Sequence, residues 1–289
     1  MGAPTMLPSH RMKTLVIQSY RARNVPEWIA RCLATVRSWA AAQGFDYQLA
    51  GDESFQLCGA DYLARVGDNV RSITNLSRLL LVQAAHAAGY DRAIWFDADI
   101  LVFAPEDLRI ELTSRYAFAA ETWITRAGGD QWQASAGVNN SVFACMAGEP
   151  DLEWLISTIR HIVRHRRIST NYEVGGELIK GLRLSLGYHL IGGVGMFSND
   201  IVTALARGEH AVLHAQARFH GVPVQAANLC AGPHYDPPVT EADAMAAIEA
   251  LERTRGEVVN AWLAEGPLTA QTYPGYTRFA VSATADPPP

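Results

Sequence analysis

Two aspartates two positions apart close an apolar run, Ile94-Trp95-Phe96-Asp97-Ala98-Asp99-Ile100-Leu101. Burying both as unpaired anions at a strand end is costly, so a divalent cation is their natural neutraliser. An alternating strand would put both side chains on one face. A chain turning out of the strand would instead aim one at the ion and the other through water. The plain alternative is a strand-end turn with solvated aspartates.

Further polar residues fall where chemistry is expected. Gln18 and Tyr20 end the first apolar run, Leu15 to Tyr20, and Arg78 lies on the amphipathic stretch before the aspartates. Asn139 and Asn140 open a later apolar run and offer carboxamides, each both donor and acceptor. Glu121, Asp130, Glu173 and Glu177 are loose carboxylates, Gln131 and Trp132 sit in a glycine-flanked loop, and His214 and His220 come late in the chain.

Elements that would position these groups follow from periodicity. The run from Leu15 reads as a first strand, and Pro26 to Gly44 as a helix burying Trp28, Ile29, Cys32, Leu33, Val36 and Trp39. Phe45 to Ala50 reads as a second strand. Ser72 or Thr74 would cap a helix ending at Gly89, and the aspartate-bearing strand follows. Strand, helix, strand, helix, strand reads as a doubly wound parallel sheet, whose ligands sit at the carboxyl ends of the strands. Later strands are expected at Tyr116 to Ala120, Val138 to Cys145 and Ala211 to Ala215, with a helix over Asp151 to Val163. Thr240 with Asp243 would begin a last helix running toward Leu263 and interrupted by Gly256, and Tyr273-Pro274-Gly275-Tyr276 reads as a turn.

With these landmarks the sequence resembles the GT-A glycosyltransferases, in particular the retaining glycogenin-like and bacterial galactosyltransferase-like family. The resemblance rests on Ser77-Arg78-Leu79 on a helix, then Phe96-Asp97-Ala98-Asp99-Ile100, then Gly137-Val138-Asn139-Asn140-Ser141 opening a strand. It covers residues 14–145 and, faintly, 200–225. The implied fold is α/β, a Rossmann-like, mostly parallel sheet flanked by helices, with a helical C-terminal extension. In domains, the expected division is a disordered segment or extension over 1–12, a GT-A nucleotide-sugar transferase domain over 13–235, and a C-terminal helix and tail over 236–289 packed on the same domain.

The resemblance implies a nucleotide-diphosphosugar donor, UDP first, and an acceptor not identified by the sequence. Mn²⁺ or Mg²⁺ would be held by Asp97 and Asp99 against the diphosphate, with His214, or alternatively His220, as a further ligand. An imidazole in the set would favour Mn²⁺. It also implies Arg78 on the diphosphate or sugar, Gln18 and Tyr20 at the nucleotide, Asn139 and Asn140 at sugar hydroxyls, and Glu173 at the transferred sugar, with Glu177 as its rival. The Lys-Pro-Trp that usually follows the late histidine is absent, and Arg218 is the substitute. Two other readings stand beside this one. A haloacid dehalogenase-type phosphatase also uses Asp-x-Asp after a strand, and a nucleotide-sugar binder without turnover would keep the same landmarks.

Composition sets the outer bounds. A chain of 289 residues with 49% hydrophobic and 18% charged side chains is too long for a disulfide-stapled miniprotein and too apolar for wholesale disorder. The net charge of −5 argues against a dedicated nucleic-acid binder. Lys13 and Lys180 are the only lysines, so anions would be gripped by arginine, backbone amides or a metal. Cys32, Cys58, Cys145 and Cys230 are widely spaced and read as reduced and buried. With no apolar stretch of membrane-spanning length and no signal-like N-terminus, the expected location is the cytoplasm. Arg160-His161 to Arg166-Arg167 is a basic run whose two histidines lack a zinc-protease glutamate.

Overall fold

The computed structural model describes residues 12–128, 131–168, 171–231, 238–266, 271–273 and 276–280. The chain opens with strand β1 (Thr14–Ser19), helix α1 (Glu27–Gln43) and β2 (Asp46–Ala50). Helices α2 (Ala60–Val66) and α3 (Val70–Ala87) lead to β3 (Arg92–Phe96) and β4 (Ile100–Val102). A long hairpin, β5 (Tyr116–Gly128) and β6 (Gln131–Met146), precedes α4 (Pro150–His165) and α5 (Gly176–Leu186). Then come β7 (His189–Ile191), β8 (Val194–Phe197), α6 (Asn199–Arg207), α7 (Ala211–His220) and β9 (Ala226–Leu229). Helices α8 (Glu241–Thr254) and α9 (Glu257–Asn260) and strands β10 (Gln271–Tyr273) and β11 (Tyr276–Ala280) complete the order.

The architecture is α/β, a sheet flanked by helices, as expected. Its centre is parallel, with β1 between β2 and β3, and β7 runs parallel to β5. Antiparallel β6 joins this centre to the hairpin and to β11. Strands β4, β9 and β8 form a separate small sheet. Both faces of the central strands are covered, so their side chains alternate between two cores rather than between core and water. Leu15, Ile17, Ala93 and Trp95 pack with Leu76, Leu79 and Leu80 of α3. Val16, Ile94 and Phe96 pack on the other face with Val36, Trp39 and Ala40 of α1.

Local signals explain the ends of the helices. Pro26 precedes α1, and Gly44 ends it at φ 70°. The cap of α3 is Asn69, whose side chain accepts from the Ser72 amide, rather than Ser72 or Thr74. Thr240 and Asp243 form a reciprocal capping box on α8. That helix packs on α1 and α6, and Trp262 just beyond α9 is 1% exposed in the same core. The four cysteines are free and buried. No described helix is long and apolar enough to cross a membrane.

One expected strand is corrected. Ala211 to Ala215 is the start of helix α7, not a strand. Its three-residue apolar run, too short to fix a period, continues into helix-forming Ala-Gln-Ala-Arg and closes on Gly221 at φ 76°. Of the two geometries that the sequence leaves open at the aspartates, the chain takes the turn out of the strand end, and β4 leaves the main sheet for the small one. Pro274 and Gly275 of the expected turn lie outside the described residues, although Tyr273 pairs with Tyr276 across β10 and β11.

Candidate active site

At the carboxyl end of the parallel strands a cleft of about 360 Å³ is lined by Tyr20, Arg78, Asp97, Asp99, Asn139 and Asn140, together with Trp95 and Asn228. Asp97 to Asp99 form the turn between the two sheets, closed by the Ile100 amide donating to the Asp97 carbonyl at 3.2 Å. The turn is clamped from both sides. Asp97 N donates to the Ser141 carbonyl on β6 at 2.7 Å, and Leu229 N on β9 donates to the Asp99 carbonyl at 2.9 Å.

Each carboxylate has one oxygen fixed by neighbours. Asp97 Oδ1 accepts from Trp95 Nε1 at 2.7 Å and lies 3.3 Å from Arg78 Nη1. Asp99 Oδ1 accepts from Asn228 Nδ2 at 2.8 Å. Arg78 is buried, with its guanidinium 5.3 Å from the Trp95 ring and donating to the Asn140 carbonyl. A buried cation thus offsets one of the two negative charges. Burial and then the charge of Asp97 push the Asp99 carboxyl up to about 7. Asp97 is also raised by burial, against the pull of Arg78 and the Trp95 hydrogen bond. Two neighbouring carboxylates, one raised by the charge of the other, form a hard-oxygen donor pair whose chemistry fits a divalent cation such as Mg²⁺ or Mn²⁺.

A bulge in β6 places the asparagines. Pairing with β5 shifts between Phe118 and Ala119, so Asn140 to Val142 are extra on the β6 side. Asn139 Nδ2 donates to Glu121 Oε2 at 3.0 Å, and Asn140 Nδ2 donates to Asn75 Oδ1 at 3.1 Å. Glu121 therefore holds a cleft residue. Gly175 makes a close approach: a Cβ there would lie 2.5 Å from Asn75 Nδ2.

Other expected residues are placed elsewhere. Gln18 is fully buried; it donates to the Asp97 carbonyl at 3.1 Å and accepts from Tyr47, bracing the turn from behind. Glu173 is 4.0 Å from Arg166 and does not line the cleft, whereas its neighbour Gly176 does. His214 lies on helix α7, where its Nε2 is 2.7 Å from Glu265 Oε2 and its ring packs on Trp262. Arg218 binds the same Glu265 oxygen at 3.1 Å. His220 is tied to Thr122 at 3.0 Å and to the Gly192 carbonyl at 2.8 Å. Neither histidine lines the cleft, and no cluster of three or more His, Cys, Asp or Glu suited to a metal occurs among the described residues. Trp132 is buried beneath Arg126, at 4.7 Å, and Asp130 lies outside the described residues.

Sequence reasoning missed Asn228, Trp95 and Asn75. Asn228 meets Asp99 across 129 positions, through the pairing of β4 with β9.

No protein-family model matches the chain, and no curated protein matches it. Among solved structures it is similar to the crystal structure of a glycosyltransferase involved in the glycosylation of the major capsid of PBCV-1. The TM-score is 0.47 at 10% identity, over 82% of this chain and 98% of that one. At that level the function rests on the geometry of the cleft itself.

Proposed function

We propose that this chain is a metal-dependent glycosyltransferase that moves a sugar from a nucleotide-diphosphosugar, UDP-linked in the first instance, to an acceptor. The observation that carries this reading is the Asp97 and Asp99 pair at the carboxyl end of β3, backed by Arg78 and facing a cleft with Asn139 and Asn140. Asp97 and Asp99 would hold Mg²⁺ or Mn²⁺ against the diphosphate. When bound, the cation supplies charge neutralisation to the departing nucleoside diphosphate.

The chain's own groups supply the rest. Trp95 and Arg78 favour the ionised form of the Asp97 carboxylate against its burial and hold it in one orientation. Asn139 and Asn140 offer hydrogen bonds to sugar hydroxyls, and Tyr20 borders the nucleotide end. Among the described residues that line the cleft, no carboxylate or imidazole stands beyond the aspartate pair. Transfer with retention is the stereochemistry expected on this reading.

The test is calorimetric titration of UDP with and without Mn²⁺ or Mg²⁺, repeated on Asp97→Ala with Asp99→Ala. Metal-dependent binding that the double variant loses supports the reading, and screening of donor sugars follows. Absence of binding by UDP, GDP and other nucleotides in every combination would sink it, and phosphatase assays would come next.

A further inference from the structure

A second cleft, of about 330 Å³, opens between α2 and α4. Arg65 of α2 and Arg160 and Arg164 of α4 line it, against a single carboxylate, Asp61. In a chain whose net charge is −5 this is a local reversal of sign. Arg65 Nη1 donates to the Arg164 carbonyl at 3.2 Å and ties the two walls together. Among the described residues, none of these three guanidinium groups forms an ion pair. Arg31, Arg78, Arg115, Arg166 and Arg218 each have an acidic partner. Burial pushes the Cys58 thiol in the cleft wall up to about 11, and the charge of Arg160 works against that rise, so Arg160 bears on the interior of the cleft.

The position of this cleft is as informative as its charge. Tyr62, one of its lining residues, donates its hydroxyl proton to the Ser72 carbonyl at 2.9 Å, and the Cys58 thiol lies 3.6 Å from the Ile73 carbonyl. Ser72 and Ile73 sit between Arg71 and Thr74, which line the aspartate cleft. One turn of α3 therefore separates the two clefts, a distance of about one helix diameter, ~10–12 Å. A molecule reaching from one to the other needs only to pass around that turn.

We propose that the cleft between α2 and α4 is an anion subsite that takes an oxyanion, phosphate or carboxylate, carried by an acidic acceptor substrate. Three unpaired guanidinium groups repel one another, and planar forks that donate in pairs match such oxyanions. Assignment to the acceptor rests on the transferase reading; the affinity for anions does not.

The test titrates inorganic phosphate and, separately, an oligogalacturonate into the full chain saturated with UDP and Mg²⁺. It is repeated on Arg160→Ala with Arg164→Ala, and on Arg160→Lys with Arg164→Lys. The expected result is saturable binding of at least one probe, weakened tenfold or more by the alanines and less by the lysines, with UDP affinity unchanged. The tighter probe distinguishes a phosphorylated from a carboxylated acceptor. Binding of neither probe, displacement of both by UDP, or undiminished binding in the alanine variant overturns the subsite. Should UDP fail to bind with metal, the anion titrations are run without it. Arginine-dependent phosphate binding then keeps the anion site while the acceptor assignment falls with the transferase reading.

Discussion

Trp95 and Asp97 lie two residues apart at the end of one strand, and the indole N–H of the first donates to Oδ1 of the second at 2.7 Å. A residue that reads as core packing in the sequence thus orients the carboxylate on which the proposed site depends. Trp95→Phe keeps the buried ring and the stack under Arg78 but removes the donor. A hydrogen bond to a charged group contributes about 1.5–3 kcal/mol, and the lower end applies because the Asp97 side chain is 25% exposed. Denaturant unfolding should show that loss, and calorimetry should show weaker UDP binding in the presence of metal. Unchanged binding would remove Trp95 from the positioning role.

Arg78 serves Asp97, the Asn140 carbonyl and the Trp95 ring at once. Arg78→Ala removes the partner of the half-buried Asp97 carboxylate and of the Asn140 carbonyl and should cost about 3 kcal/mol. Arg78→Lys keeps the charge but loses the planar fork, so it should fall between wild type and alanine in both unfolding free energy and UDP affinity. Equal effects of the two substitutions would make the charge irrelevant.

Asn228→Asp places a third carboxylate beside Asp99. In the metal-free protein the melting temperature should fall, because like charges are brought together in a half-buried site. Adding Mn²⁺ should raise the melting temperature more in this variant than in wild type, since a ligand that binds only the native state stabilises by mass action. A cation effect no larger than in wild type would argue against an ion between these side chains.

His220 sets a pH limit on the fold. Burial lowers its basicity, against the pull of the Gly192 carbonyl, and the neutral ring accepts from Thr122 while donating to that carbonyl. A base whose folded value lies below the unfolded one, about 6.5, contributes stability that is fully present above that value. It is lost as pH falls through the folded value. His86, lowered by burial in the same way, adds a slope of the same sign. Urea unfolding at a series of pH values below about 6.5 should show a shallower loss in His220→Gln than in wild type, and an equal slope would refute the assignment.

Gly256 separates α8 from α9 at φ 82°, and a Cβ there would lie 2.4 Å from the Phe103 ring. Gly256→Ala combines backbone strain with overpacking, each costing of order 1–3 kcal/mol. The melting temperature should drop clearly, while UDP affinity should stay the same, since neither Gly256 nor Phe103 lines the cleft.

Much of this site was legible because the signals are local. Asp97 and Asp99 end an apolar run, Arg78 lies on the amphipathic helix before them, and Asn139 and Asn140 stand beside a later apolar run, although the structure puts them inside β6 at its bulge. Helix α2 was not anticipated, because its seven residues give too short a period to detect. His214 was read in a strand on three apolar residues, and its helix takes it instead to Glu265 and Trp262.

The sequence by itself determined the α/β class, the bounds of α1, the capping box of α8 and the acidic strand end. Each of these depends on side chains within a few positions of one another, where hydrophobic periodicity and capping act. Only the tertiary structure decided that the acidic run breaks between two sheets, that Asn228 meets Asp99, and that Gln18 braces the turn from behind. It also decided that Arg65 faces Arg160 and Arg164 across one cleft. Those pairings join residues far apart in the chain, and strand order and helix packing, not local propensity, bring them together.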